Sequence, residues 1–141
     1  MRALNGRQSI ASVDGCEVAR ALAKAIQILL VEDHSDTARA ICNVLRRSGY
    51  EVKVAGNMAE AQQLADETRI DVVVCDIGLP DGDGHKLMRD LKDRHGLKGI
   101  CISGYGSDED IEESKAAGFV AHLTKPFDMQ TLEALLPQFA R

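Results

Sequence analysis

From Ile26 onward, five short apolar runs alternate with stretches whose apolar residues recur at helical spacing. That alternation is the pattern of βαβ units, and it commits the chain to a parallel sheet covered by helices. The runs are Ile28 to Val31, Glu51 to Ala55, Val72 to Cys75, Ile100 to Ser103 and Val120 to Leu123. The third is apolar throughout, as in a strand buried on both faces. The first helix is predicted to start at Ser35 or Asp36, either of which would cap it. It should end before Gly49, with Ala38, Ile41, Val44 and Leu45 facing inward. Asn57-Met58-Ala59-Glu60 reads as a capping box opening the second helix. Gly78 to Gly84 is turn-forming and predicted as loop, followed by a helix over His85 to Asp93 with Leu87, Met88 and Leu91 inward. The acidic stretch Asp108 to Ala117 supplies a fourth helix, its leading carboxylates favoured by the macrodipole. The fifth runs over Asp128 to Phe139, where Pro137 should distort the final turn.

At 141 residues the chain is long enough for one core and short for two, and residues 26–141 account for a single domain. A net charge of −5 and a pI near 5.3 argue against direct nucleic-acid binding, which needs a basic face. No apolar run approaches a membrane span. Residues 1–25 read as a linker or the tail of an upstream domain, with a short helical pattern from Val18 to Ile26. The Arg-bearing opening has some transit-peptide character, weakened by Asp14 and Glu17. Cys16, Cys42, Cys75 and Cys101 form no CxxC pair and lack histidines at zinc-site spacing, so buried or free thiols in a reducing cytosol are expected.

Four of the five strands end in polar residues that form one chemical set. The first runs into Glu32-Asp33, the third into Asp76, the fourth ends at Ser103, and the fifth is followed closely by Lys125-Pro126. In a flavodoxin-like doubly wound sheet of order 2-1-3-4-5, the carboxyl ends of the strands share the ligand-binding edge. The second strand, at the sheet edge, ends in Ala55-Gly56 and offers nothing. Three carboxylates held together raise one another's pKa unless a cation restores the charged forms. Mg²⁺, with its preference for hard oxygen ligands, suits the set, and the Gly78 carbonyl is placed to join it. Lys125 adds a positive charge for a phosphoryl oxygen or for Asp76, and Ser103 a rotatable donor.

These residues resemble the receiver domain of two-component response regulators. The resemblance rests on Val31-Glu32-Asp33, Asp76 to Gly84, Ser103-Gly104 and Lys125-Pro126-Phe127, and covers about residues 26 to 139. Ser103 to Gly106 and His122 to Pro126 are similar in style to receivers of hybrid histidine kinases. The resemblance implies a (βα)5 fold in which Asp76 is the phosphoacceptor, taking the phosphoryl group from a histidine kinase or histidine phosphotransferase. It implies that Asp33 and Asp76 ligate Mg²⁺ directly, Glu32 acts mainly through water, and Gly78 contributes its backbone carbonyl. Ser103 would hydrogen-bond the phosphoryl group, Lys125 would pair with it, and the Lys125-Pro126 bond would be cis. Such a domain is a cytoplasmic signalling module with self-catalysed transfer and hydrolysis rather than a dedicated enzyme, read by a phosphorylation-dependent partner or a homodimer.

Two positions bear on how the signal is held and released. The family's switch aromatic falls at His122, a smaller and polar ring. The positions that tune water access fall at Gly78 and Tyr105, and slow to intermediate self-dephosphorylation is expected. Asp81-Gly82-Asp83 lies in a Gly/Pro loop rather than directly after a strand, unlike the DxD of aspartate-nucleophile phosphatases. The Gly-rich loop is neither an EF-hand nor a P-loop. The competing function is a pseudo-receiver, a constitutive interaction module without phosphorylation. With no output module after the fifth helix, a single-domain regulator or the terminal receiver of a longer hybrid kinase is expected.

Overall fold

The structure is a computed structural model that describes residues 26–104 and 108–140. The helical pattern before Ile26, Cys16 and Tyr105 lie outside the described residues. Five strands, β1 (Gln27–Val31), β2 (Glu51–Ala55), β3 (Val72–Asp76), β4 (Gly99–Ser103) and β5 (Phe119–Thr124), form one parallel sheet in the order β2-β1-β3-β4-β5. This is the expected flavodoxin-like (βα)5 arrangement. The helices are α1 (Ser35–Arg47), α2 (Met58–Glu67), α3 (Gly84–His95), α4 (Asp108–Ala117) and α5 (Met129–Leu135).

Strand periodicity sorts the core into two layers. Along β3, Val72 and Val74 pack into a cluster with Leu45 of α1 and Leu132 of α5. Val73 and Cys75 point the other way, into a cluster with Ala61 of α2 and Leu87, Met88 and Leu91 of α3. β3 is therefore sealed on both faces, and its exit point is fixed by packing on either side. Each of these large apolar side chains contributes roughly 1.5–3 kcal/mol by leaving water.

Several local details differ from the sequence expectation. The residue at the cap of α1 is His34, not Ser35 or Asp36, and its side chain makes no bond to the helix. The ring turns instead toward Asp33 and Glu32. On α1, Cys42 is buried with Ala38, Ile41 and Leu45, whereas Val44 is only half-buried. At α2, Asn57 Oδ1 accepts from the Glu60 amide at 2.9 Å, while the Glu60 carboxylate accepts from the Gly56 amide, one residue before the cap. β5 is one residue longer at each end than expected, and α5 gives way to a 3-10 turn at Leu136–Phe139, where Pro137 lacks the amide an α-helix would use.

The stretch after β3 is more ordered than a loop. Gly78–Leu79 and Gly82–Asp83 pair as a two-residue antiparallel hairpin, and Gly84 donates its amide to the Ile77 carbonyl at 2.8 Å. Asp81 anchors this hairpin to α2 by accepting from the amides of Met58 and Ala59 at 2.8 and 3.2 Å. Gly84 is required by close approach, since a Cβ there would stand 2.7 Å from Ile77 Cα and 2.9 Å from the Asp76 carbonyl oxygen. At Gly78 the same atom would meet nothing within 4 Å. Gly84→Ala should therefore destabilise the domain by about 1–3 kcal/mol, and Gly78→Ala by less than about 0.5 kcal/mol, as read from urea unfolding midpoints.

Candidate functional site

The carboxyl ends of β1 and β3 are neighbours, because the two strands pair in register from Ile28↔Val72 to Val31↔Cys75. Glu32 and Asp33 leave β1, and Asp76 closes β3, all at the same edge. The Glu32 amide donates to the Ala55 carbonyl at 3.0 Å, so the end of β2 pins the backbone without contributing a side chain. From the far side, Lys125 follows β5 through a cis Lys125-Pro126 bond, and its amide donates to the Ser103 carbonyl at 2.7 Å. The lysine is thus tied to the end of β4 as well as to its own strand.

Asp76 is held at both oxygens. Lys125 Nζ donates to Oδ2 at 2.9 Å, and the Gly78 amide donates to Oδ1 at 3.1 Å. Burial works to raise the Asp76 pKa, but the neighbouring Glu32 carboxyl and the hydrogen bonds from Lys125 and the Gly78 amide outweigh it, and the carboxyl titrates below its ordinary value. Burial likewise works to lower Lys125, and the neighbouring Asp76 and Glu32 more than compensate, so the ammonium is held. The pair is charged on both sides.

Glu32 is the opposite case. It is only 4% exposed, and among the described residues neither of its carboxylate oxygens has a hydrogen-bond donor. Lys125 Nζ stands 3.7 Å from Oε1, which is ion-pair range but too long for a hydrogen bond. Burial first, then the neighbouring Asp76 carboxyl, push its pKa from 4.5 to about 8, against a smaller opposing effect of Lys125. Glu32 at neutral pH therefore carries a proton. Such an orphaned buried carboxyl beside two more carboxylates fits a divalent cation, which would replace that proton.

The expected site residues fall into two groups. Glu32, Asp33, Asp76, Lys125 and the Gly78 backbone converge, and it is the Gly78 amide that faces Asp76. Ser103 is buried at the end of β4, one residue past the Asp76↔Ile102 register pair. His122 sits apart, half-buried on β5, with Nδ1 3.3 Å from Ser114 Oγ of α4. Sequence reasoning missed His34, whose Nδ1 lies 3.3 Å from Asp33 Oδ1 and 3.6 Å from Glu32 Oε1. With Glu32, Asp33 and Asp76 it completes a group whose ligand atoms lie within 4.8 Å of one another. Its position directly after Glu32-Asp33 was the available signal. The buried thiols of Cys75 and Cys101 are pushed up by desolvation, Cys101 to about 11, which makes them inert.

A doubly wound sheet with an acidic, cation-ready cluster at its switch point and a lysine closing it defines the class. The chain matches the response regulator receiver domain over residues 28–137, and it belongs to that family of two-component signalling domains. It is 28% identical over 115 residues to sporulation initiation phosphotransferase F of Bacillus subtilis, covering 80% of this chain and 92% of that protein. It is 33% identical over 119 residues to sensor kinase CckA of Brucella abortus, covering 82% of this chain but spanning only 13% of the kinase. A CheY-like receiver domain protein from Methanospirillum hungatei superimposes with a TM-score of 0.74 at 30% identity, covering 81% of this chain and 93% of that one. Among the described residues, no helix is long and apolar enough to cross a membrane.

The folded protein binds the Glu32 proton more tightly than the unfolded chain does. The resulting stabilisation is complete below about pH 4.5 and is lost as pH rises through about 8. In metal-free buffer, urea-derived stability should fall across this window with a Glu32 contribution approaching about 1.4 kcal/mol per pH unit. Glu32→Gln should remove that contribution.

Proposed function

We propose that the chain is a phosphoacceptor receiver of a phosphorelay, taking a phosphoryl group onto Asp76 from the phosphohistidine of a histidine kinase or histidine phosphotransferase. The observation that carries this reading is the state of Asp76, a carboxylate kept ionised and oriented at both oxygens by Lys125 and the Gly78 amide. An Asp76 oxygen attacks phosphorus in line, an O–P bond forms as the P–N bond to the donor imidazole breaks, and the imidazole leaves. The attack needs no general base, because the nucleophile is already deprotonated.

Asp33 and Asp76, the Gly78 carbonyl, and Glu32 acting through water are the residues that would hold Mg²⁺, which when bound neutralises carboxylate and phosphoryl charge. Lys125 passes from Asp76 Oδ2 to a phosphoryl oxygen, and Ser103 turns its hydroxyl toward another. Phosphorylation adds roughly two negative charges at pH 7. Because the Lys125 amide is bonded to the Ser103 carbonyl, adjustment at either residue is felt by the other. The readout follows the face from Ser103 through α4 to His122, whose inward turn would break its contact with Ser114. On this reading the domain works in the cytoplasm with its kinase or phosphotransferase, and a partner or second copy reads that face. The similarity to a segment of a sensor kinase and to a phosphotransferase supports a relay role.

Incubation with acetyl phosphate should label the parent chain only when Mg²⁺ is present. Asp76→Asn should lower labelling at least about 100-fold, and Lys125→Ala should reduce it without abolishing the folded state. Retention of the label in Asp76→Asn would contradict the assignment.

A further inference from the structure

We propose that Asp83, His85 and Glu113 form a second metal site, a clamp for a zinc-type divalent cation that ties α4 to the first turn of α3. Asp83 is the cap of α3, His85 lies in its first turn, and Glu113 projects from α4. Their ligand atoms lie within 4.8 Å of one another, with no member in common with the acidic group around Asp76.

Both distances from the His85 ring suit a ligand set better than a hydrogen-bonded ion pair. His85 Nδ1 is 3.3 Å from Glu113 Oε1 and 3.4 Å from Asp83 Oδ1. A charge-assisted hydrogen bond closes to about 2.7–2.9 Å, and a single N–H cannot point well at two oxygens. Bonds of about 2.0–2.1 Å to a tetrahedral zinc ion, in contrast, place neighbouring ligand atoms about 3.3–3.4 Å apart. The imidazole is also built in. His85 is only 6% exposed, packs edge-on to Phe119, and has Nε2 3.1 Å from Ser114 Oγ. An oriented outer partner on the second ring nitrogen is what metal-bound histidines carry.

The remaining features are compatible with occupancy. Asp83 Oδ1 already accepts from the His85 amide at 2.8 Å, and a carboxylate oxygen retains a lone pair for a metal. The side chains of Asp83 and Glu113 are 42% and 54% exposed, so the ion has a path from solvent and water can complete the fourth position. One nitrogen and two carboxylate oxygens favour zinc over Mg²⁺, which demands oxygen and keeps its waters. Ser114 also lies 3.3 Å from His122 Nδ1, so an ion here would steady His122 through His85 and Ser114.

The full chain, stripped of metal, is titrated with Zn²⁺ against a chromophoric chelator in excess Mg²⁺. Zinc that excess Mg²⁺ does not displace is expected to bind, with affinity at this site lowered at least about tenfold in Glu113→Gln and in His85→Ala, and unchanged in His95→Ala. Glu113 is exposed, so Glu113→Gln tests the site even where His85→Ala fails to fold. Co²⁺ in place of Zn²⁺ should give the visible absorption of a four-coordinate site, lost in Glu113→Gln. Equal affinity in the parent and Glu113→Gln, loss of binding in His34→Ala instead, or no competition with the chelator would each overturn the proposal.

Discussion

The ion pair between Lys125 and Asp76 is the contact on which the edge of this sheet depends, because one ammonium stands against three carboxylates. The lysine is committed mainly to Asp76 at 2.9 Å and reaches Glu32 only at 3.7 Å. Asp76 consequently stays ionised, while burial first, and the nearby Asp76 next, keep a proton on Glu32. The two acids, adjacent at one edge, are driven in opposite directions by the same surroundings. The divergence leaves one carboxyl ionised beside another that holds a proton, without any difference in side-chain chemistry.

The pair is only as good as the strands that aim it. β3 is packed on both faces, so Asp76 leaves the sheet at a fixed point. The hairpin after it turns on the close approach of Gly84 to Ile77 and presents the Gly78 amide to Asp76. Lys125 is fixed by its own backbone bond to Ser103, which makes β4 and β5 one mechanical unit at this edge. From that unit the contacts run outward through His122 to Ser114 and on to His85. The path joins the sheet edge to α4 through polar groups that are fully or partly buried, and such groups hold discrete arrangements rather than yielding continuously.

The sheet order and the convergence of Glu32, Asp33, Asp76 and Lys125 were legible in the sequence, because apolar runs and their polar endings are local signals that parallel topology brings together. What was not legible depended on packing between elements. His34 looked like a residue before a helix, and only the fold shows its ring turned back to Asp33. By contrast, Cys42 rather than Val44 is buried on α1 with Ala38, Ile41 and Leu45, the stripe that i, i+3, i+4, i+7 spacing does indicate. The Gly78–Leu79 and Gly82–Asp83 hairpin is too short to show alternation. His85, Ser114 and His122 are distant in sequence and meet only where α3, α4 and β5 pack.

The central claim is that the surplus negative charge at this edge is balanced by a proton on Glu32 until a divalent cation takes its place. Titration calorimetry of Mg²⁺ binding at pH 7, repeated in buffers of different ionisation enthalpy, counts the protons exchanged. The account predicts release of about one proton per Mg²⁺ bound by the parent and close to none by Glu32→Gln. Binding by the parent with no proton release would contradict it.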